Sequence, residues 1–239
     1  MCVSCGLQSR RGFLVTAASI AGTTAFAGGG IRRAFAAPTG TTNGLSPDEA
    51  FAKLKDGNRR YLAAPELCEA NLASNRAAVA KGQAPWATVL TCSDSRVSPE
   101  LIFGGVGLGE LFVARNAGNV ADTAMVGSIE YAIEHLHCPL VVVMGHESCG
   151  AVTAACDVVK TGAHLPGPIG RMVAPIVPAA KAVRGKPGDF VENAARRNAR
   201  NQAAVMRKSR IFNTFAKAGK VRLIVAFYHL DSGAVEFLD

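Results

Sequence analysis

The chain has 239 residues, enough for one ordinary domain, and 49% of them are apolar, enough for a substantial core. Its formal charge of +8 is the only compositional hint of a nucleic-acid partner. Four of the 26 basic residues and none of the 18 acidic residues lie in the first 36 positions. The remainder therefore carries only +4, without a basic-aromatic cluster, and composition argues against nucleic-acid binding.

The first 36 residues have the pattern of an export signal. SRRGFL (9–14) resembles the bacterial twin-arginine signal, which exports folded proteins, and AFA (34–36) fits a small-residue cleavage site. The stretch between them consists mainly of Ala, Gly and Thr and is too weakly hydrophobic for a stable membrane anchor. We expect residues 1–36 to be removed and residues 37–239 to form one exported, periplasmic domain. A disordered basic N-terminus and an uncleaved anchor are the alternatives.

The remaining chain alternates between predicted helices and strands. Ser46 begins a helix as N-cap, with Pro47 and Glu49 completing a capping box, and a second helix is predicted over 72–83. Apolar runs predict four strands buried on both faces: ATVLTC (87–92), LFVAR (111–115), LVVVMG (140–145) and VRLIVAFY (221–228). Further helices are predicted over 123–136, 151–160 and from 191 to about 218, and GAVEFL (233–238) predicts an edge strand.

This alternation predicts an α/β fold. We expect a central, mostly parallel sheet of four strands plus a C-terminal edge strand, with helices on both faces. Ligands of such sheets bind beyond the carboxyl ends of the strands.

Reactive side chains follow two of the predicted strands. The first strand leads into TCSDSR (91–96), and the third leads into GHESCG (145–150). If these strands are neighbours, Cys92, His146 and Cys149 converge on one point. Two thiolates and one imidazole leave the fourth zinc position open, as catalysis requires, whereas a structural site would supply four ligands.

Two further features support a catalytic centre there. Cys149 stands at a predicted helix N-terminus, where the helix dipole favours the thiolate. Asp94 and Arg96 are two residues apart in a turn, so they can pair. An Asp held by Arg stays ionised and can accept a hydrogen bond from water on the metal.

Other cysteines and histidines have ordinary interpretations. Cys2 and Cys5 have the spacing of half a zinc site but lie in the segment expected to be removed. HLHC (135–138) resembles a ligand cluster, yet it straddles a predicted helix end, which favours packing over a second metal or proton role. The three remaining cysteines, Cys68, Cys138 and Cys156, could form at most one internal disulfide or act as small buried apolar groups.

The two strand-end motifs resemble those of the β-class carbonic anhydrases, and the similarity extends from about Ser46 to the end of the chain. The matching segments are EAFAKLKDGNRRYL (49–62), CSDSR (92–96), FVARNAGN (112–119), GSIEYAIEHL (127–136), GHESCGAV (145–152) and FYHLDSGAVEFL (227–238). The resemblance implies one zinc ion per subunit on Cys92, His146 and Cys149, with Asp94 and Arg96 as the catalytic pair.

The family also implies a homodimer or a higher assembly of dimers, because its substrate pocket lies at the subunit interface, with the N-terminal helices packing on the partner. Members that bicarbonate inhibits at a separate site carry Trp three residues before the first zinc Cys. Here that position is Val89. The lack of a Trp there and the presence of Gln83 make the chain more similar to the plant-like type. The family's substrate-binding positions correspond to Gln83, Phe112, Tyr131 and Gly150.

The implied reaction is the reversible hydration of CO₂ to bicarbonate and a proton. In the family's mechanism, zinc makes hydroxide available near neutral pH, and this attacks CO₂ held against Phe112 and Tyr131 beside Gln83. Relatives with the same ligands hydrolyse carbonyl sulfide or carbon disulfide, which is the close alternative. A non-catalytic zinc or thiol-redox protein is the alternative from a different class.

Overall fold

A five-stranded sheet organises the part of the chain that the computed structural model describes, residues 42–69 and 76–238. The order across the sheet is β2-β1-β3-β4-β5; the first four strands are parallel and β5 is antiparallel to β4. The strands are β1 (Ala87–Cys92), β2 (Leu111–Asn116), β3 (Leu140–His146), β4 (Arg222–Tyr228) and β5 (Val235–Phe237). The predicted sheet, including its C-terminal edge strand, is confirmed.

Burial of the strands follows their position in the sheet. Every residue of β1 and β3 is buried, as continuous apolar runs of central parallel strands predict. The prediction that β2 is buried on both faces was wrong, since most of this strand is only partly buried in a single chain. Its sole strand partner among the described residues is β1, so β2 is an edge strand and lacks cover on one side.

Helices cover both faces of the sheet, as predicted. Alternate strand residues face opposite sides: Val89 and Val142 pack in the cluster that includes Leu54, whereas Leu90 packs in the cluster that includes Ile129. The helices are α1 (Pro47–Ala63), α2 (Pro65–Glu69), α3 (Arg76–Val79), α4 (Pro99–Ile102), α5 (Thr123–His135), α6 (Gly150–Thr161), α7 (Gly167–Val173), α8 (Val177–Val183), α9 (Phe190–Met206) and α10 (Arg210–Lys217).

Capping side chains set several helix boundaries. The predicted capping box is present: the Glu49 amide donates to Ser46 Oγ at 3.3 Å, and the Ser46 amide donates to Glu49 Oε2 at 2.8 Å. The helical region predicted from 191 to about 218 is confirmed, and it consists of two helices because Ser209 starts a new one. Its Oγ accepts from the Phe212 amide at 3.0 Å and donates to Glu130 at 2.6 Å, which interrupts the helix between α9 and α10.

Two predicted segments lie partly or wholly outside the described residues. Of the helix predicted over 72–83, only Arg76–Val79 is helical among the described positions. The twin-arginine segment, its cleavage site and both N-terminal cysteines lie outside the described residues. No described helix is long and apolar enough to cross a membrane.

Candidate metal centre

Three potential metal ligands meet at the carboxyl ends of adjacent strands. Cys92 is the last residue of β1, His146 the last of β3, and Cys149 the N-cap of α6. The two sulfur atoms are 3.9 Å apart, and one ligand atom from each residue lies within 4.8 Å of the others. All three residues are buried. The convergence expected if β1 and β3 were neighbours is confirmed.

The His146 ring is oriented for a metal. Its Nδ1 lies 2.7 Å from the carbonyl oxygen of Glu147, which assigns the proton to Nδ1 and leaves a lone pair on Nε2. Nε2 is buried and has no hydrogen-bond partner. A buried polar atom without a partner is costly unless something else binds it. With two thiolates beside it, this nitrogen completes a donor set that fits zinc.

The two cysteine thiols influence each other strongly. The hydrogen bond from Cys149 lowers the pKa of Cys92 to about 4, and the same contact raises the pKa of Cys149 above its usual range. The amides of Ala151 and Val152 act toward a Cys149 thiolate, as expected at a helix N-terminus, but the neighbouring sulfur outweighs them. The two sulfurs therefore compete for one negative charge, and a divalent cation would require both thiols to lose their protons.

Asp94 and Arg96 form the predicted pair beside these ligands. Arg96 Nε donates to Asp94 Oδ1 at 2.9 Å and Arg96 Nη2 donates to Oδ2 at 2.7 Å. These hydrogen bonds hold the pKa of Asp94 well below its usual range, although partial burial opposes the shift. Asp94 Oδ2 is also 4.0 Å from Nε2 of His146. An ionised, oriented acceptor therefore lies next to the candidate metal position.

Two residues of the FVARNAGN segment (112–119) support the first strand end. Arg115 donates to the carbonyl oxygens of Cys92 at 2.9 Å and Asp94 at 2.7 Å. The Gly118 amide donates to Cys92 Sγ at 3.3 Å. Sequence reasoning assigned neither role; their place in a matching segment next to a strand end was the only signal.

Glu147, the residue after His146, pairs with His229, and sequence reasoning did not predict this pair. Glu147 Oε1 is 2.6 Å from His229 Nδ1, and the Leu230 amide donates to Glu147 Oε2 at 2.8 Å. Burial lowers the pKa of His229, but the carboxylates of Glu147 and Glu236 raise it above its ordinary value overall. Because both Glu147 oxygens are engaged, this cluster ties the end of β3 to the end of β4.

The remaining described cysteines and His135 make packing contacts. All five described cysteines are buried and none forms a disulfide, and burial raises the pKa of Cys138 to about 12 and that of Cys156 to about 11. His135 packs its ring against Tyr131 at a centroid distance of 5.1 Å. Residues 135–138 are not among the groups of described residues whose atoms could together hold a metal.

The predicted substrate-binding residues fall into two places. Gly150, the first residue of α6, lies beside Cys149 on the metal side. Gln83 and Tyr131 instead line a separate cavity of about 430 Å³, whose lining includes none of the three ligands. Phe112 contacts Tyr131, with ring centroids 6.3 Å apart.

The strand register shows how far Phe112 and the neighbouring Tyr131 lie from the candidate ligands. Phe112 is opposite Thr88, four residues before Cys92 along β1, which corresponds to about 13 Å of strand. Within one chain, the cavity lined by Gln83 and Tyr131 is therefore not part of the metal centre.

Comparisons with known proteins agree with this geometry. Residues 87–235 match the family model described as "Carbonic anhydrase". The chain is 36% identical over 195 residues to "Carbonic anhydrase 2" of Mycobacterium tuberculosis, covering 81% of this chain and 94% of that protein. It is 37% identical over 193 residues to the carbonic anhydrase of Mycolicibacterium smegmatis, covering 80% and 93%.

Solved structures show the same fold. The β-carbonic anhydrase of Coccomyxa, solved in complex with acetazolamide, aligns with a TM-score of 0.59 and 27% identity over 82% of this chain and 87% of that one. A tetrameric β-carbonic anhydrase from Sordaria macrospora aligns with a TM-score of 0.62 and 23% identity, covering 68% and 85%. At that identity the second similarity concerns the fold alone.

Proposed function

This chain belongs to the β-class carbonic anhydrase family, and we propose that it catalyses the reversible hydration of CO₂ to bicarbonate and a proton, with one zinc ion per subunit. The observation that carries the proposal is the buried Cys92, His146 and Cys149 set, whose unpartnered Nε2 faces two sulfur atoms 3.9 Å apart. Zinc held by these residues would supply a Lewis acid that makes water a nucleophile near neutral pH.

The chain's own residues prepare this water for attack. The Asp94 carboxylate, kept ionised by Arg96, accepts a hydrogen bond from the water and fixes the direction of its lone pair. Arg96 also donates to the carbonyl oxygen of Ser148 at 3.4 Å, which ties the two strand ends together. Orienting the nucleophile in advance removes part of the entropic barrier to its attack on CO₂.

We propose that a second copy of the chain supplies the substrate pocket. Phe112 and Tyr131 offer apolar ring surface for CO₂, and the Gln83 amide offers a donor for a substrate oxygen, yet all three lie away from their own metal ligands. A homodimer would place them beside the partner's ligands. Exposed leucines at Leu62 of α1 and Leu67 of α2 support packing of the N-terminal helices on that partner.

The proposal is tested by stopped-flow CO₂ hydration with zinc-replete protein, chelator-stripped protein and stripped protein to which zinc is returned. We expect activity in the first sample, its loss in the second and its recovery in the third. A replete protein without CO₂ hydration would contradict the proposal. Faster turnover of carbonyl sulfide or carbon disulfide than of CO₂ would support the alternative hydrolase.

We further propose that the protein is exported by the twin-arginine route to the periplasm, with its zinc already bound. The proposal rests on SRRGFL (9–14) followed by AFA (34–36). Protein isolated from its native cells should therefore have an N-terminus near residue 37. A chain that still begins near Met1 would contradict cleavage.

A further inference from the structure

Two buried amide side chains on α9 have no role in the proposed chemistry. Asn198 is 0% exposed and Gln202 is 3% exposed, on a helix face otherwise buried through small apolar residues such as Ala195 and Ala199. Buried amides are costly unless their hydrogen bonds are satisfied, so the partners of these two side chains show what they hold.

Both amides hold the turn that follows β2. Asn198 Nδ2 donates to the Gly118 carbonyl oxygen at 2.9 Å. Gln202 Nε2 donates to Asn198 Oδ1 at 2.9 Å, and its own Oε1 accepts from the Ala121 amide at 2.9 Å. The hydrogen bonds therefore form a continuous chain from α9 to both ends of the segment 118–121.

The same turn contacts the candidate metal centre from its other side. The Gly118 amide donates to Cys92 Sγ, and Gly118 is held at φ 83° with Asn119 at φ 46°. Gly118 adopts this conformation without steric cost, and only Asn119 is held in a region that side chains other than glycine seldom occupy. A side chain at position 118 would also collide, because a Cβ there would lie 2.4 Å from Ile176 Cδ1. Asn116 holds the far part of the turn through both backbone groups of Val120, whereas Asn198 binds the Gly118 carbonyl oxygen, on the residue whose amide contacts the sulfur.

We infer that Asn198 is a positioning residue for the metal centre, acting through Gly118 on the Cys92 sulfur. This inference rests on the proposed function, since it concerns how the chain holds zinc. An N–H···S bond withdraws charge from a thiolate and fixes the direction of its sulfur, and hydrogen bonds behind ligands commonly change metal affinity about 10–100-fold. Loss of the Asn198 amide would let the turn relax and weaken that bond.

The test compares Asn198→Ala with Asn58→Ala in the zinc-loaded protein. Asn58 is a matched control because its buried amide also joins distant backbone segments, donating to Ile102 and Gly233 and accepting from Val235 at 3.0–3.1 Å. None of its partners is a metal ligand or Gly118. Zinc release to a coloured chelator should be about 10-fold faster for Asn198→Ala than for wild type, but unchanged for Asn58→Ala.

A spectroscopic measurement separates this role from a general loss of stability. In cobalt-substituted protein, a thiolate that loses a hydrogen bond donates charge to the metal more readily. The sulfur-to-cobalt charge-transfer band should therefore move to longer wavelength in Asn198→Ala and stay in place in Asn58→Ala. If Asn198→Ala does not fold, Asn198→Asp takes its place, because it keeps the oxygen that accepts from Gln202 and loses the nitrogen that donates to Gly118 and Asn119 in the same turn.

The outcomes separate this inference from the proposed function. Wild-type zinc release and an unshifted cobalt band in the Asn198 variant would overturn the inference while leaving the proposed function intact. Equal acceleration of zinc release in both variants would also overturn it, since the effect would then follow from fold stability. A wild-type protein that binds no zinc would contradict the proposed function and the inference together.

Discussion

Replacing Asp94 with Asn is expected to lower kcat/KM for CO₂ hydration roughly 1,000-fold while the protein keeps its zinc. The carboxylate accepts two hydrogen bonds from the Arg96 side chain and still lies next to the candidate metal position, 4.0 Å from His146 Nε2. An Asn amide has one accepting oxygen, and its nitrogen donates. Asn at this position can therefore not accept both Arg96 hydrogen bonds and also one from water at the candidate metal position.

The expected loss lies in catalysis because Asp94 is not one of the three ligands. Zinc content, measured by atomic absorption, should stay near one ion per chain, while stopped-flow hydration should fall. Asp48→Asn is a matched control, since Asp48 pairs with Arg222 at 2.8 Å far from the ligands and is exposed. We expect that control to retain wild-type hydration. Unchanged turnover in Asp94→Asn would remove this carboxylate from the mechanism, and loss of zinc would give it a role in metal binding.

The sequence was most informative where local pattern and topology agree. Central strands of a parallel sheet are buried on both faces, so β1, β3 and β4 are visible as continuous apolar runs. The convergence of the three candidate ligands could be predicted because each lies at or just after a strand end. Neighbouring parallel strands then bring Cys92 to His146 across 54 positions of sequence.

The sequence was least informative about contacts that depend on tertiary packing. Asn198 reaches Gly118 over 80 residues, and Glu147 reaches His229 over 82, so neither spacing has a local signature. The break at Ser209 was missed because its surroundings have the composition of a helix, while its hydroxyl bonds Glu130, 79 residues earlier. The mutual influence of the Cys92 and Cys149 thiols depends on the 3.9 Å between their sulfur atoms, a distance that the helix N-terminus alone does not give.

Two inactive variants are expected to restore activity when they share one dimer. Asp94→Asn damages the metal side of a site, the half that contains Cys92, His146 and Cys149. Gln83→Ala removes a hydrogen-bond donor from the substrate pocket and should lower kcat/KM about 100-fold. If each pocket serves the partner's ligands, a heterodimer of these variants contains one doubly damaged site and one intact site. Heterodimers purified through two different affinity tags should then show roughly half the wild-type activity, far above either parent.

The structure favours this outcome over a site completed within one chain. Gln83 and Tyr131 line a cavity that excludes the ligands, and Phe112 lies about 13 Å along the sheet from Cys92. The partly buried edge strand β2 carries Phe112 and has no strand partner on its outer side among the described residues. A second copy can therefore approach along this edge and bring the two halves together.

A heterodimer of Asp94→Asn with Cys149→Ala provides the matched control. Both changes damage the metal side, so neither site is intact whether the pocket comes from the same chain or from the partner. This heterodimer should remain as inactive as its parents. If the Asp94→Asn and Gln83→Ala heterodimer also stays inactive, while its stability and zinc content on the Gln83→Ala chain are normal, each pocket serves its own chain. A site completed within one chain would then require the Gln83 segment to move toward its own ligands.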